Sequence, residues 1–107
     1  MLKHIDKESC SINGHSLDEL LELMRAFSDE TRQKIILYCF YEKEVCANDI
    51  AKQFTLSRPT ISHHLNLMKR AKLLNSRKEG KEVYYSVNKE YIVSLLEAFI
   101  STLKDCC

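Results

Sequence analysis

The sequence predicts a mainly α domain with one small β-hairpin, and three observations carry that reading. Apolar residues recur at helical spacing in five separate stretches. Only between the fourth and fifth stretch does the pattern turn extended, with a Gly-containing turn between two short apolar runs. Two Gly and one Pro in 107 residues leave too few turn-forming positions for an all-β design.

The elements follow in order. Ser16 is placed to cap a first helix whose stripe is Leu17, Leu20, Leu21, Met24 and Phe27. Asp18 and Glu19 stand in its first turn, where the helix dipole favours anions, and Leu23 off the stripe suggests a second buried face. Ser28-Asp29 ends this element, and a richly apolar second helix from Glu30 to Tyr41 is expected to be central. A short third helix spans Ala47 to Phe54, with Ala47, Ile50, Ala51 and Phe54 on one side. Thr55-Leu56 is a turn. Ser57 caps a fourth helix running to about Ala71, in which Pro59 is tolerated because it sits in the first turn. Ile61, His64, Leu65 and Met68 lie on its inner face. Leu73 to Lys78 and Val83 to Asn88 are strand candidates around a charged tip, Glu79-Gly80-Lys81-Glu82. A last helix from Lys89 carries Ile92, Leu95, Leu96, Phe99 and Leu103, with Val93, Ala98 and Ile100 widening its apolar surface.

The length allows one core. The expected organisation is a flexible arm over residues 1–15, a folded domain over 16–105 and a cysteine pair at 106–107. The longest apolar run, Ile35 to Tyr41, is far short of the roughly 20 residues that a membrane span needs. The first residues lack the apolar core of a secretory signal, which makes the cytoplasm the expected location. Five cysteines, an odd number with no Cys-X-X-Cys, argue against a disulfide framework and a thioredoxin-type site. No His-Glu-X-X-His motif supports a zinc hydrolase, and no enzyme activity is expected.

The net charge of +1 hides an asymmetry. Between Ser57 and Glu82 stand seven basic residues and two acidic ones, while the rest of the chain holds nine and thirteen. A locally basic stretch in a neutral chain points to a local anionic partner. The order of the elements, with a short helix bracing the next one and a basic hairpin after it, is that of a winged helix-turn-helix, in which the fourth helix enters the DNA major groove and the hairpin lies along the flanking backbone. The outward positions of the fourth helix, Pro59, Ser62, His63, Asn66 and Arg70, are small, polar or cationic, and no acid occurs from Ser57 to Lys78. The candidate DNA-binding set is Ser57, Arg58, Thr60, Ser62, His63, Asn66, Arg70, Arg77, Lys78 and Lys81.

Five segments carry a family resemblance. Ala26-Phe27-Ser28-Asp29-Glu30-Thr31-Arg32-Gln33-Lys34-Ile35-Ile36 resembles the opening of the second helix of the arsenic- and zinc-responsive ArsR/SmtB repressors. Ser57-Arg58-Pro59-Thr60-Ile61-Ser62-His63-His64-Leu65 resembles their recognition helix. Ala71-Lys72-Leu73-Leu74, Arg77-Lys78-Glu79-Gly80-Lys81 and Val83-Tyr84-Tyr85-Ser86-Val87 resemble the end of that helix and the wing. The resemblance implies a homodimer that binds an imperfect palindrome in double-stranded operator DNA and is released by a metal or redox signal. It places Arg58, Ser62 and His63 at base- or phosphate-contacting positions. Arg58 stands where the family often has Gln, which shifts the expected base from adenine to guanine, or to a phosphate. It also implies that the first and last helices form the dimer seam, for which Leu17, Leu23, Leu95, Phe99 and Leu103 are the candidates.

The family's effector sites are only partly present. Its Cys-X-Cys pair at the third helix maps onto Cys46 and Asn48, so the second thiol is replaced. Its zinc site on the last helix falls at Lys89, Tyr91, Thr102 and Asp105, a set unsuited to zinc. The remaining thiols are Cys10, Cys39, Cys106 and Cys107. A thiolate at the helix start, as at Cys46, is expected to have a lowered pKa, and a soft ion needs two or three such donors. Arsenite or another soft metal ion, held by Cys46 with help from Cys10 or Cys106-Cys107, is one effector reading. A redox or reactive-sulfur switch joining Cys39 to Cys106 or Cys107 is the other, although the resembling redox position falls at Leu37, two residues away. From a different class, a winged-helix protein-interaction module without DNA binding would need an apolar face on the fourth helix. A thiol enzyme or metal carrier on Cys106-Cys107 would need a paired base or a Cys-X-X-Cys.

Overall fold

A computed structural model describes residues 14–105. The elements run α1 (Leu17–Ala26), α2 (Glu30–Glu42), β1 (Val45–Cys46), α3 (Ala47–Phe54), α4 (Arg58–Arg70), β2 (Leu74–Glu79), β3 (Glu82–Val87) and α5 (Lys89–Asp105). Most of residues 1–15 and the pair Cys106-Cys107 lie outside the described residues, and with them Cys10. His15 is docked, its ring edge-on to Tyr91 of α5 at 5.7 Å.

Local chemistry sets the helix ends. Ser16 and Glu19 form a reciprocal capping box at α1, in which each side chain accepts from the other residue's backbone N–H. Asp29 caps α2 by accepting from Arg32 N–H at 3.0 Å. Helix α3 ends at Thr55 in the left-handed region, with Leu56 N–H returning to the Ala51 carbonyl at 3.3 Å. Ser57 caps α4, accepting from Thr60 N–H. After α4, Lys72 is left-handed (φ 65°), and Leu73 N–H returns to the Met68 carbonyl at 2.9 Å. That bond ties the Leu73 N–H to the helix end, and β2 begins at Leu74, one residue later than its apolar pattern indicated, although the Leu73 carbonyl still accepts from Asn88 N–H at 2.9 Å.

The sheet has three antiparallel strands in the order β1-β3-β2, one more than expected. Val45 pairs with Tyr85 and Cys46 with Tyr84. A two-residue strand is too short to show alternation, and only its pairing with β3 defines it. The hairpin tip is also tighter than expected. Glu79 pairs with Glu82 inside the ladder, and Gly80-Lys81 alone make the turn, where Gly80 takes φ +62° without a Cβ penalty.

The core joins all five helices and the sheet, with Leu20 and Leu23 from α1 and Leu74 and Tyr85 from the sheet; at its centre Ile35, Ile50, Ile61, Leu65, Met68, Leu73 and Leu95 are each at most 1% exposed. Each such side chain contributes roughly 2 kcal/mol relative to an exposed one. The expected helix faces hold only in part. In α1 the buried residues are Leu20, Leu23 and Ala26, so the second buried face suggested by Leu23 is present, while Met24 of the expected stripe is 52% exposed. In α2 only Ile35, Ile36 and Cys39 are buried, and Leu37, Phe40 and Tyr41 face outward. In α5, Leu95 and Ala98 are buried. Leu23 and Leu95 are therefore spent inside the protomer and have no surface to offer a dimer seam. Leu17 and Phe99 are half-buried against the same core, and Leu103 is exposed. No described helix is long and apolar enough to cross a membrane.

Candidate nucleic-acid interface

Helix α4 is held from below and polar above. Ile61, Leu65 and Met68 pack into the core, with α3 beneath through Ile50 and Ala51. Arg58, Thr60, His63, Asn66, Lys69 and Arg70 are exposed and Ser62 is half-buried. His63, Asn66, Lys69 and Arg70 together line one open depression. Ser57 is exposed but occupied, since its hydroxyl donates to Thr60 Oγ1 at 2.9 Å while capping the helix.

His64 is the inward-leaning histidine. Its Nδ1 lies 3.3 Å from Arg32 Nη1. Arginine can only donate, so Nδ1 accepts and the ring is neutral with its hydrogen on Nε2. Burial lowers its pKa, opposed by the charge of Asp29. Arg32 also donates from Nε to the Ala26 carbonyl at 2.9 Å, tying the end of α1 to α2 and α4.

The two sides of the hairpin differ. Lys78 and Lys81 are exposed, and no ion pair joins either to a described residue. Arg77 is engaged on both edges of its guanidinium. It donates to Glu44 at 2.7 and 3.1 Å and to Glu79 at 2.9 Å, and it stacks 5.0 Å over the Tyr84 ring. The same bonds hold the Glu44 carboxyl below its usual range. Of the three wing cations singled out from sequence, Arg77 is thus neutralised by its own protein. Sequence reasoning missed Glu44, which lies more than 30 positions away and meets Arg77 only because β1 brings it to the sheet.

At the start of α4, Arg58 Nη1 donates to Asn48 Oδ1. Asn48 Nδ2 in turn lies 2.9 and 3.1 Å from the two Glu82 oxygens. Asn48 and Glu82 were not among the expected site residues. Their signal in the sequence was an amide where the resembling family has a thiol.

The two described thiols, Cys39 and Cys46, are not joined by a disulfide. Cys46 is the N-cap of α3, as its position predicted, but makes no side-chain capping bond. It is 8% exposed, and burial raises its pKa despite the Asp49 backbone N–H nearby. The expected lowering is therefore overturned, because desolvation of the thiolate outweighs the helix terminus. Cys39 is fully buried, and its thiol is pushed up to about 11. Among the described residues no three Cys, His, Asp or Glu side chains converge to hold a metal. Cys46 alone does not fit a metal site, and Asn48 is committed to Arg58 and Glu82. On α5, Tyr91 is bonded to Glu19 and Thr102 Oγ1 donates to the Ala98 carbonyl.

Comparison with known proteins agrees with this geometry. Residues 29–76, from the α2 cap to mid-β2, match the family model described as bacterial regulatory protein, arsR family. The chain is 40% identical over 79 residues to the cadmium resistance transcriptional regulatory protein CadC homolog of Staphylococcus aureus, covering 74% of this chain and 65% of that one. It is 42% identical over 66 residues to the transcriptional repressor SdpR of Bacillus subtilis, covering 62% of this chain and 72% of that protein. Its fold superimposes on an ArsR-like transcriptional regulator from Rhodococcus sp. RHA1 with a TM-score of 0.72, at 26% identity, covering 82% of this chain and 80% of the other. The winged helix-turn-helix, the basic outer face of α4 and these matches lead to one conclusion: the chain belongs to the ArsR family of bacterial regulatory proteins, DNA-binding regulators rather than enzymes.

Proposed function

We propose that the chain is a homodimeric transcriptional repressor that reads an imperfect palindromic operator with α4 and grips the flanking backbone with its wing. The observation that carries this reading is the acid-free outer face of α4. It presents Arg58, Ser62, His63, Asn66, Lys69 and Arg70, with Lys78 and Lys81 exposed on the wing. Arg58, Ser62 and His63 read base edges, while Asn66, Arg70, Lys78 and Lys81 contact phosphates. The polar face disfavours a protein-docking role for α4, which would need apolar contacts there.

Dimerisation is supported by α5. Val93, Leu96, Ile100 and Leu103 are 39–64% exposed at three-four-three spacing. A second copy placed through this stripe would present two α4 helices to successive major grooves.

Release from DNA by a thiol-seeking effector, arsenite or another soft metal ion, is the finer reading. The cadmium-regulator relative supports it, as does the position of Cys46 at the N-cap of α3, the helix that braces the reading helix. One thiol does not hold such an ion, so the set needs Cys10 or Cys106-Cys107 from outside the described residues. The redox alternative gains no support from Cys39, whose thiol no oxidant reaches without opening the core.

The test is selection from a pool of random DNA duplexes, followed by gel-shift titration. Alanine at Arg58, Ser62 or His63 is expected to weaken or retarget the selected site. Alanine at Lys78 or Lys81 is expected to weaken all duplexes alike. Wild-type protein that enriches no sequence sinks the reading.

A further inference from the structure

Arg58 is a long, flexible side chain at the first position of α4, and left alone it would sample many rotamers. Here one contact removes that freedom. Arg58 Nη1 donates to Asn48 Oδ1 on α3, ten residues earlier in the chain. Asn48 is itself fixed in sense. Its Nδ2 faces both oxygens of Glu82, at 2.9 and 3.1 Å, and a carboxylate accepts only from the NH2 end of an amide. The amide therefore cannot flip, and its oxygen must point at Arg58. Glu82 opens β3 and pairs with Glu79 across the hairpin, so the chain of contacts runs from the wing, through α3, to the start of the reading helix.

We infer that Asn48, held by Glu82, is a positioning residue that sets the direction of Arg58 and thereby the protein's preference at one base pair of each half-site. This rests on the DNA-reading function proposed above and deepens it. A guanidinium has five donor hydrogens, and one committed to Asn48 leaves the remaining edge free to meet the two acceptors of a guanine in the major groove. A pre-aimed fork reads a base better than a mobile one, because the ordering cost is met before binding. The neutrality of Asn48 matters as well. An aspartate there would add a second carboxylate beside Glu82 and place a negative charge next to the incoming phosphates.

The experiment compares the base preferences of wild-type protein, Asn48→Ala, Glu82→Ala, Glu82→Gln and Arg58→Ala, each by selection from random duplexes. Affinity for a fixed unselected duplex and the melting temperature are measured alongside. Asn48 is exposed, so Asn48→Ala is expected to fold and to bind the unselected duplex as wild type does. At the one position that Arg58→Ala also relaxes, its preference is expected to fall by about three- to tenfold. Glu82→Gln keeps an acceptor for the Asn48 amide and should retain the preference, whereas Glu82→Ala should lose it. If Arg58→Ala relaxes a position and Asn48→Ala leaves it sharp, Asn48 does not position Arg58, while the DNA-reading function stands. If wild type selects no motif, the function and this inference fall together. Equal weakening on every duplex by Asn48→Ala would make it a merely structural residue and overturn the inference.

Discussion

Tyr91 donates its phenolic hydrogen to Glu19 Oε2 across 2.7 Å, which ties the first turn of α5 to the first turn of α1. The same carboxylate oxygen lies 3.2 Å from His15 Nδ1, whose Nε2 lies 2.9 Å from Ser94 Oγ. An ionised carboxylate only accepts, so in the neutral ring Nδ1 carries the hydrogen and the Ser94 hydroxyl donates to Nε2.

This cluster gives stability a pH window. Glu19 is held down at about 2, chiefly by Tyr91 and then by the Ser16 backbone, while Tyr91 is pushed up to about 12 by burial and by Glu19. A lowered carboxyl contributes fully above its unfolded value near 4.5 and loses that contribution as pH falls toward 2. A raised phenol contributes fully below 10 and loses it as pH climbs toward 12. Tyr91→Phe is expected to cost about 1 kcal/mol at pH 7, since Glu19 is 28% exposed and partly screened. Thermal melts from pH 2 to 7 should show the variant's deficit shrinking toward low pH. A deficit independent of pH would remove Glu19 from the account.

Glu44 is expected to act on DNA affinity without touching DNA. It holds Arg77 by two hydrogen bonds, and Glu79 takes another edge. Glu44→Ala frees part of the guanidinium and removes an anion beside the wing. Affinity for any duplex should rise several-fold at low salt, and the slope of log affinity against log salt should steepen by up to about one. Arg77→Ala in the wild-type background should change binding less than Lys78→Ala does. Titrations at three salt concentrations decide it, and a Glu44→Ala protein that binds no tighter contradicts the neutralised-arginine account.

Two faces of α5 separate folding from assembly. Leu95 is fully buried, whereas Ile100 is 51% exposed. Leu95→Ala should lower stability by about 3 kcal/mol through the cavity it leaves. Ile100→Asp should leave the protomer's own packing intact and abolish the dimer. Light scattering at micromolar concentration checks the second, and a dimer that survives Ile100→Asp places the seam elsewhere.

Much of this arrangement was legible in the sequence because it is local. Ser16 and Ser57 announce their helices through chemistry acting over three residues, and the bounds of α3 follow from Ala47, Ile50, Ala51 and Phe54 alone. Which face of an all-round apolar helix turns inward was not legible. Leu23 against Met24, and Leu95 against Leu96, differ by one position, and only the neighbouring helices decide between them. The site divides in the same way. The outward residues of α4 follow from helical period, while the Arg77–Glu44 and Arg58–Asn48–Glu82 contacts join residues that the sheet and α3 bring together from a distance.

Cys39 has no exposed surface and a pKa near 11, so it is neither a ready nucleophile nor a ready ligand at neutral pH. Alkylation by iodoacetamide under native conditions, read by peptide mass, should leave Cys39 unmodified until the protein unfolds. Cys39→Ser should then keep whatever response the protein shows to oxidants or soft ions. Cys46 sits differently. It retains a small exposed surface at the start of the helix that braces α4, and Asn48, which holds Arg58, is two residues away. A group bound at Cys46 would therefore act on the first turn of α3, the same turn that carries Asn48. If arsenite or cadmium ion releases the protein from a selected duplex, Cys46→Ser should abolish that release while leaving affinity for the duplex unchanged in its absence. A Cys46→Ser protein that is still released, together with a Cys39→Ser protein that is not, would reverse the assignment and place the signal in the core.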